Sequence, residues 1–173
     1  MSQINIKQIL SKDLIKIIKW KNSQILSNQI MSQKKQIDLE TAKNWLKNNS
    51  TDKNQLIKGI YLEKKKKDIL IGIVRLMFID FEAKTTELGI YIGDTNYHGR
   101  GFGKQALILI LNEAFSNLNL DKVYLKVTES NLRAIKLYES LGFVCEGKLK
   151  NHFFNDLEEK FENILYLSLF KTI

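Results

Sequence analysis

Apolar positions recur along this chain at two periods, and each change of period marks an element. Leu14, Ile17 and Ile18 stand at helical spacing behind Ser11-Lys12-Asp13, which predicts a capped first helix closed by Trp20. Asp38 precedes Leu39, Ala42, Trp45 and Leu46, so a second capped helix is predicted there, ended by Asn48-Asn49-Ser50. Residues 55–63 and 68–78 then read as strands joined by Lys64-Lys65-Lys66-Lys67, a solvated hairpin turn. A third strand covers 86–93, after the polar turn Glu82-Ala83-Lys84. Beyond a glycine-rich loop come a helix over 103–117, a strand over 122–128 and a helix over 131–141 stopped by Gly142. Strands over 143–148 and 161–170 complete the order.

That succession predicts one α/β (α+β) domain over residues 1–173, a mixed central sheet with helices on both faces. The sheet has to turn from antiparallel to parallel pairing. The helix after the glycine loop is long enough to make the crossover that a parallel pair needs. A chain of 173 residues suits a single core.

Composition changes this picture little. Hydrophobic residues at 44% and charged residues at 27% are those of an ordinary globular protein. No apolar run approaches the ~20 residues that a membrane span requires. The first residues lack the apolar core of a signal peptide, so the cytoplasm is the expected location. Cys145 is the only cysteine, which excludes an intrachain disulfide and a cysteine-based zinc site. Two histidines without carboxylate spacing suggest no metal. The net charge of +8 favours anionic partners. Its lysines are spread out rather than gathered in an arm, which points to phosphorylated small molecules before nucleic acid.

The stretch with most chemistry is Tyr97-His98-Gly99-Arg100-Gly101-Phe102-Gly103-Lys104, between a strand and a helix. Glycines leave backbone N–H groups uncovered, and a helix start adds free donors and the positive end of its dipole. With Arg100 and Lys104 alongside, the combination is a socket for a phosphate-bearing ligand.

A second stretch runs Asn131-Leu132-Arg133-Ala134-Ile135-Lys136-Leu137-Tyr138-Glu139-Ser140-Leu141-Gly142-Phe143. Taken with His98-Gly99-Arg100-Gly101-Phe102-Gly103, it resembles the GNAT superfamily of acetyl-CoA-dependent N-acetyltransferases. The resemblance covers nearly the whole chain. One departure is His98, where the family usually has Gln or Arg, and a pyrophosphate contact is in question there.

The resemblance implies acetyl-CoA as cosubstrate, with roles assigned by position. The amides of Arg100, Gly101, Phe102, Gly103 and Lys104, with Gly99, would hold the pyrophosphate. Tyr91, Ile92 and Gly93 would pair with the pantetheine arm as an added half-strand. Asn131, with Ala134 beside it, would bond the pantetheine or simply cap its helix. Tyr138 sits where the family places the acid that protonates the leaving thiolate; otherwise it is a core tyrosine beside Ile135 and Leu141. Glu87 is the candidate base for the amine, or a solvated strand-end carboxylate, and Glu129 and His152 are lesser candidates. Alternation puts Glu87, Gly89 and Tyr91 on one face and Leu88, Ile90 and Ile92 on the other.

The acceptor is read from weaker signals. Trp20-Lys21-Asn22, Ile30-Met31-Ser32 and residues 41–45 resemble the branch of ribosomal-protein N-terminal and sugar-nucleotide acetyltransferases. His152-Phe153-Phe154 has a parallel in spermidine acetyltransferases. The basic charge favours a nucleotide-linked amino sugar, with a protein N-terminus or a polyamine as alternatives. A non-catalytic acetyl-CoA-binding module is the reading from a different class. A homodimer is also expected from the resemblance, with no role for nucleic acid or membrane.

Overall fold

The computed structural model describes residues 3–31, 36–64 and 67–171; the expected turn residues Lys65 and Lys66, Ser32 of the branch resemblance, and the first two residues lie outside these. The chain runs β1 (Ile4–Lys7), α1 (Leu14–Lys21), α2 (Gln24–Gln29), α3 (Leu39–Thr51), β2 (Leu56–Leu62), β3 (Ile69–Asp80) and β4 (Thr85–Ile92). It continues through α4 (Phe102–Asn112), β5 (Lys122–Thr128), α5 (Leu132–Glu139), β6 (Val144–Asn155) and β7 (Lys160–Phe170). All seven strands form one sheet in the order β1-β2-β3-β4-β5-β7-β6. Pairing is antiparallel except between β4 and β5, where the crossover through α4 makes the parallel step expected from the sequence.

Helices cover both faces. Leu14, Ile17 and Trp20 of α1, Leu26 of α2 and Ala42 of α3 pack on Tyr61, Leu70 and Ile73. On the other face, Phe102, Ala106, Leu107 and Ile110 of α4 join Tyr138 of α5 over Val74, Leu76, Leu88 and Leu125. Period-2 alternation in β4 sends Leu88, Ile90 and Ile92 to the α4 face and Tyr91 to the α1 face.

Two elements were not expected. β1 is four residues long, too short for a periodic signal, and gains its stability by pairing with β2 and burying Ile4. α2 spans six residues, below the length at which a helical pattern is readable. The helix caps divide. Asp38 accepts from the Thr41 N–H at 2.8 Å, as predicted. Asp13 caps nothing: its carboxylate accepts from the Tyr61 hydroxyl at 2.7 Å, while residues 11–13 form a tight turn into α1. The helix expected over 103–117 is α4 continued by a wider, π-type turn over Glu113–Asn117. β6 runs past its expected end at 148 to Asn155, because bulges let it stay paired with β7.

Candidate active site at the splayed strands

The glycine loop begins where β4 stops. The N–H groups of Gly93 and Asp94 both donate to Ile71 O, at 2.9 and 3.3 Å. Gly93 is pressed against Trp20: a Cβ there would fall 2.1–2.5 Å from three ring atoms. The His98 ring Nε2 lies 2.8 Å from Ile92 O, and since a carbonyl only accepts, the ring donates there. His98 therefore ties the loop back to the end of β4.

Gly99 and Gly101 take left-handed backbone, with φ of 74° and 80°. Gly101 is the N-cap of α4 and offers no side chain to cap it. The first helical bond runs from Gln105 N–H to Gly101 O at 3.1 Å. The N–H groups of Phe102, Gly103 and Lys104 precede that bond, so the fold leaves them as donors at the positive end of the helix dipole. These are three of the amides that the sequence reading assigns to a phosphate-bearing ligand. The basic side chains expected beside them differ in placement. Arg100 lies over the Tyr97 ring, 5.9 Å from its centroid, and is not among the residues lining the cleft below. Arg133 of α5 does line it, close to where a Gly99 side chain would sit. Lys104 lines it too and donates to Ser140 Oγ at 3.2 Å.

β4 and β5 pair over only three residues, Thr85 to Glu87 against Lys122 to Tyr124. Beyond them β5 stays with β7, and among the described residues no strand pairs with Leu88 to Ile92 on that side. The two strands open as a wedge at their carboxyl ends, the usual place for a ligand in a sheet with parallel strands. A cleft of about 670 Å³ fills the wedge and reaches both faces of the sheet. Its α4 side carries Gly99, Gly101 to Lys104, Asn131, Ala134 and Tyr138. Its α1 side carries Lys21, Trp45, Arg75, Glu87, Tyr91 and Lys126. Free β4 backbone and free α4 amides in one cleft suit a ligand with a diphosphate and an amide-bearing arm.

Tyr138 is 9% exposed, with its ring centroid 5.7 Å from that of Phe143. Burial pushes its phenol up to about 12, so it stays protonated at any physiological pH. The hydroxyl-bearing residue and the α4 amides line one cleft, which is the juxtaposition acyl transfer needs. The Asn131 side chain accepts from Ala134 N–H at 3.1 Å, so it is the cap of α5, and both residues line the cleft. Tyr91 and Ile92 line it as well; Gly93 does not.

Glu87 is half-buried, and its carboxylate accepts from Lys126 Nζ at 2.9 Å. Glu129 accepts from Asn163 at 2.7 Å and from Lys148 at 2.5 Å, which in that order keep its carboxyl below the ordinary range. Neither Glu129 nor His152 lines the cleft. Among the lining residues that the sequence reading missed are Glu162 and Arg75. Glu162 is 6% exposed and accepts from Ser130 and Asn155. Arg75 sits in β3, where a lone charge inside the apolar run Ile69 to Phe78 was the available signal.

Fold and cleft together define an acyl-CoA-type transferase scaffold, and comparison with known proteins gives the family. Residues 4–144 match the acetyltransferase (GNAT) domain, and the chain belongs to that family. It is 40% identical over 85 residues to a spermidine N(1)-acetyltransferase of Vibrio cholerae, a match covering 49% of each chain. The matched segment thus spans about half the length of that curated relative. A crystal structure of the Vibrio cholerae spermidine N-acetyltransferase in complex with CoA and spermine superposes with a TM-score of 0.89. It is 24% identical and covers 97% of this chain and 95% of that one, a likeness of fold. A dodecameric structure of the same Vibrio enzyme gives a TM-score of 0.79 at 27% identity, covering 97% and 94%. The superfamily expectation holds. The branch is corrected: these relatives are polyamine acetyltransferases, not ribosomal-protein or amino-sugar enzymes.

Proposed function

We propose that this chain is an acetyl-CoA-dependent N-acetyltransferase of a small primary amine. The observation that carries the reading is one cleft lined both by the unbonded amides of α4 and by the buried phenol of Tyr138. The residues present fit CoA: Phe102, Gly103 and Lys104 offer N–H groups to its diphosphate with Arg133 beside them, and Leu88 to Ile92 offer free strand backbone to its amide arm. The cosubstrate supplies an activated acetyl group when bound. Tyr138 holds a proton for the departing sulfur, and its high proton affinity keeps that proton in place until needed. Glu87, on the acceptor side of β4, takes the proton of the incoming ammonium, its charge held by Lys126. The apolar walls from Leu26, Trp45 and Ile73 limit water at that end.

A polyamine is the acceptor class that the relatives support, and Glu87, Glu158 and Glu162 on the cleft wall are suited to a cationic chain. A second reading, an amine on a phosphate-bearing molecule such as a nucleotide-linked amino sugar, is favoured by Lys21 and Arg75 on the same wall. The test is mass spectrometry of products from acetyl-CoA with spermidine, spermine, a nucleotide-linked amino sugar and a peptide N-terminus. Acetylation of none of them, with CoA bound, would return the protein to a binding module. Self-association is proposed on the strength of the dodecameric relative, and light scattering of the purified chain reads it.

A further inference from the structure

Arg75 and Tyr91 stand on the α1 face of adjacent strands, two ladder steps apart: Arg75 opposite Gly89, and Ile73 opposite Tyr91. Gly89 has no side chain, and the Arg75 guanidinium occupies that space; a Cβ on Gly89 would lie 2.9 Å from Arg75 Nε. The arginine is thus laid flat along β4, on the wall of the cleft. It is largely desolvated, yet among the described residues no hydrogen bond or ion pair holds it. Its one acidic neighbour on this face, Glu87, is committed to Lys126 at 2.9 Å. The Tyr91 hydroxyl is likewise buried without a partner, its ring packed edge-on to Trp20 at 6.3 Å. Lys21 approaches from α1, its proton affinity lowered by burial first and by the Arg75 charge second.

A half-buried guanidinium on the cleft wall and a buried phenol hydroxyl, neither with an acceptor among the described residues, are donors left for a ligand to use. The guanidinium presents a planar fork that matches two oxygens of a carboxylate or phosphate, and the phenol offers one more O–H. We propose that Arg75 and Tyr91 form an anion-binding subsite for the acceptor, so that the preferred substrate is a primary amine that also carries a carboxylate or a phosphate. This rests on the transfer reading above and selects among its acceptor classes. The anion binds at Arg75 on one strand face, and the amine is presented toward the wedge beside Glu87. A polyamine leaves the two donors unsatisfied and is the poorer acceptor.

Matched pairs of amines test it. The full chain is assayed with acetyl-CoA on glucosamine against glucosamine 6-phosphate, on 1,4-diaminobutane against ornithine, and on spermidine. The pairs separate a phosphate preference from a carboxylate preference. At least one acid-bearing member should exceed its acid-free partner about tenfold or more in kcat/KM. Arg75→Gln should erase that preference mainly through KM and keep CoA affinity; Arg75→Lys should restore part of it. Equal use of both members of every pair by the unaltered chain, or spermidine above all of them, overturns the subsite without any variant having to fold. So does an Arg75→Gln effect of equal size on both members. Turnover of no amine at all, with CoA still bound, overturns the transfer reading itself and the subsite with it.

Discussion

Replacing Gly101 separates backbone strain from crowding in the anion socket. Its φ is 80°, and a Cβ built there meets no atom within 4 Å. Any cost of alanine is therefore conformational. Holding a non-glycine residue in the left-handed region costs about 1–2 kcal/mol. In a chain of this size that lowers Tm by roughly 2–8 °C, at about 2–4 °C per kcal/mol. Asparagine tolerates the same backbone, so Gly101→Asn should cost roughly half as much. The loop can also relieve the strain by relaxing, which turns an α4 amide away from its ligand. Losing one hydrogen bond to a charged group is worth about 1.5–3 kcal/mol, or about 10- to 150-fold in Kd. Thermal unfolding and CoA titration calorimetry on Gly101→Ala and Gly101→Asn read the two effects. The expected order of CoA affinity is glycine, then asparagine, then alanine. If alanine lowers Tm while CoA affinity is untouched, these amides are only a turn and hold no diphosphate. If asparagine is as harmful as alanine, φ is not what the loop requires.

Three further substitutions probe other parts of the cleft. Tyr138→Phe should slow turnover about 10²- to 10⁴-fold and leave CoA affinity within about twofold; unchanged turnover removes the phenol from acid catalysis. The same variant isolates a pH effect. The Tyr138 phenol is raised on folding from 10.0 to about 12, so its contribution to stability is full below pH 10 and disappears as pH climbs through about 12. Denaturation midpoints of the unaltered chain should therefore fall more steeply than those of the Phe variant across that window, and parallel curves would contradict the burial. Arg133→Ala should weaken CoA binding more than Arg100→Ala, because Arg133 lines the cleft and Arg100 lies over Tyr97; calorimetry showing the reverse order would put the diphosphate elsewhere. Gly93→Ala drives a methyl into the Trp20 ring and should cost about 1–3 kcal/mol in urea unfolding. An unchanged midpoint would mean that β4 and α1 are not in the contact described.

What could be read from the sequence and what could not divide along the range of the interactions. Asp38, Asn131 and the 99–103 glycines act on backbone within a few residues, so their roles are written locally and each is found in place. Strand alternation in β4 is equally local, and it assigned Tyr91 and Leu88 to the correct faces. The wedge is not local. It exists because β5 leaves β4 after Tyr124 and keeps pairing with β7, whose residues lie some forty positions further along the chain. No periodicity in β4 or β5 announces where their pairing stops. The same holds for Glu162, whose burial depends on Ser130 and Asn155 from two other elements. Asp13 shows the converse: a good local cap was overridden when Tyr61, 48 residues away, supplied a buried hydroxyl.

The acceptor end follows from this division. Net charge over the whole chain is a sum over mostly remote, solvated lysines, and it carries little information about one wall of one cleft. The wall itself holds both signs: Glu87 and Lys126 neutralise each other, while Arg75 has no such partner among the described residues. Specificity therefore turns on the uncompensated groups and not on the totals, since a paired charge has little left to offer a ligand. Among the described residues Glu162 accepts from the neutral donors Ser130 and Asn155, while no hydrogen bond or ion pair holds Arg75, which makes it the cation most open to an acid. On the proposed subsite, an acceptor that carries an acid beside its amine engages Arg75, which a polyamine cannot do.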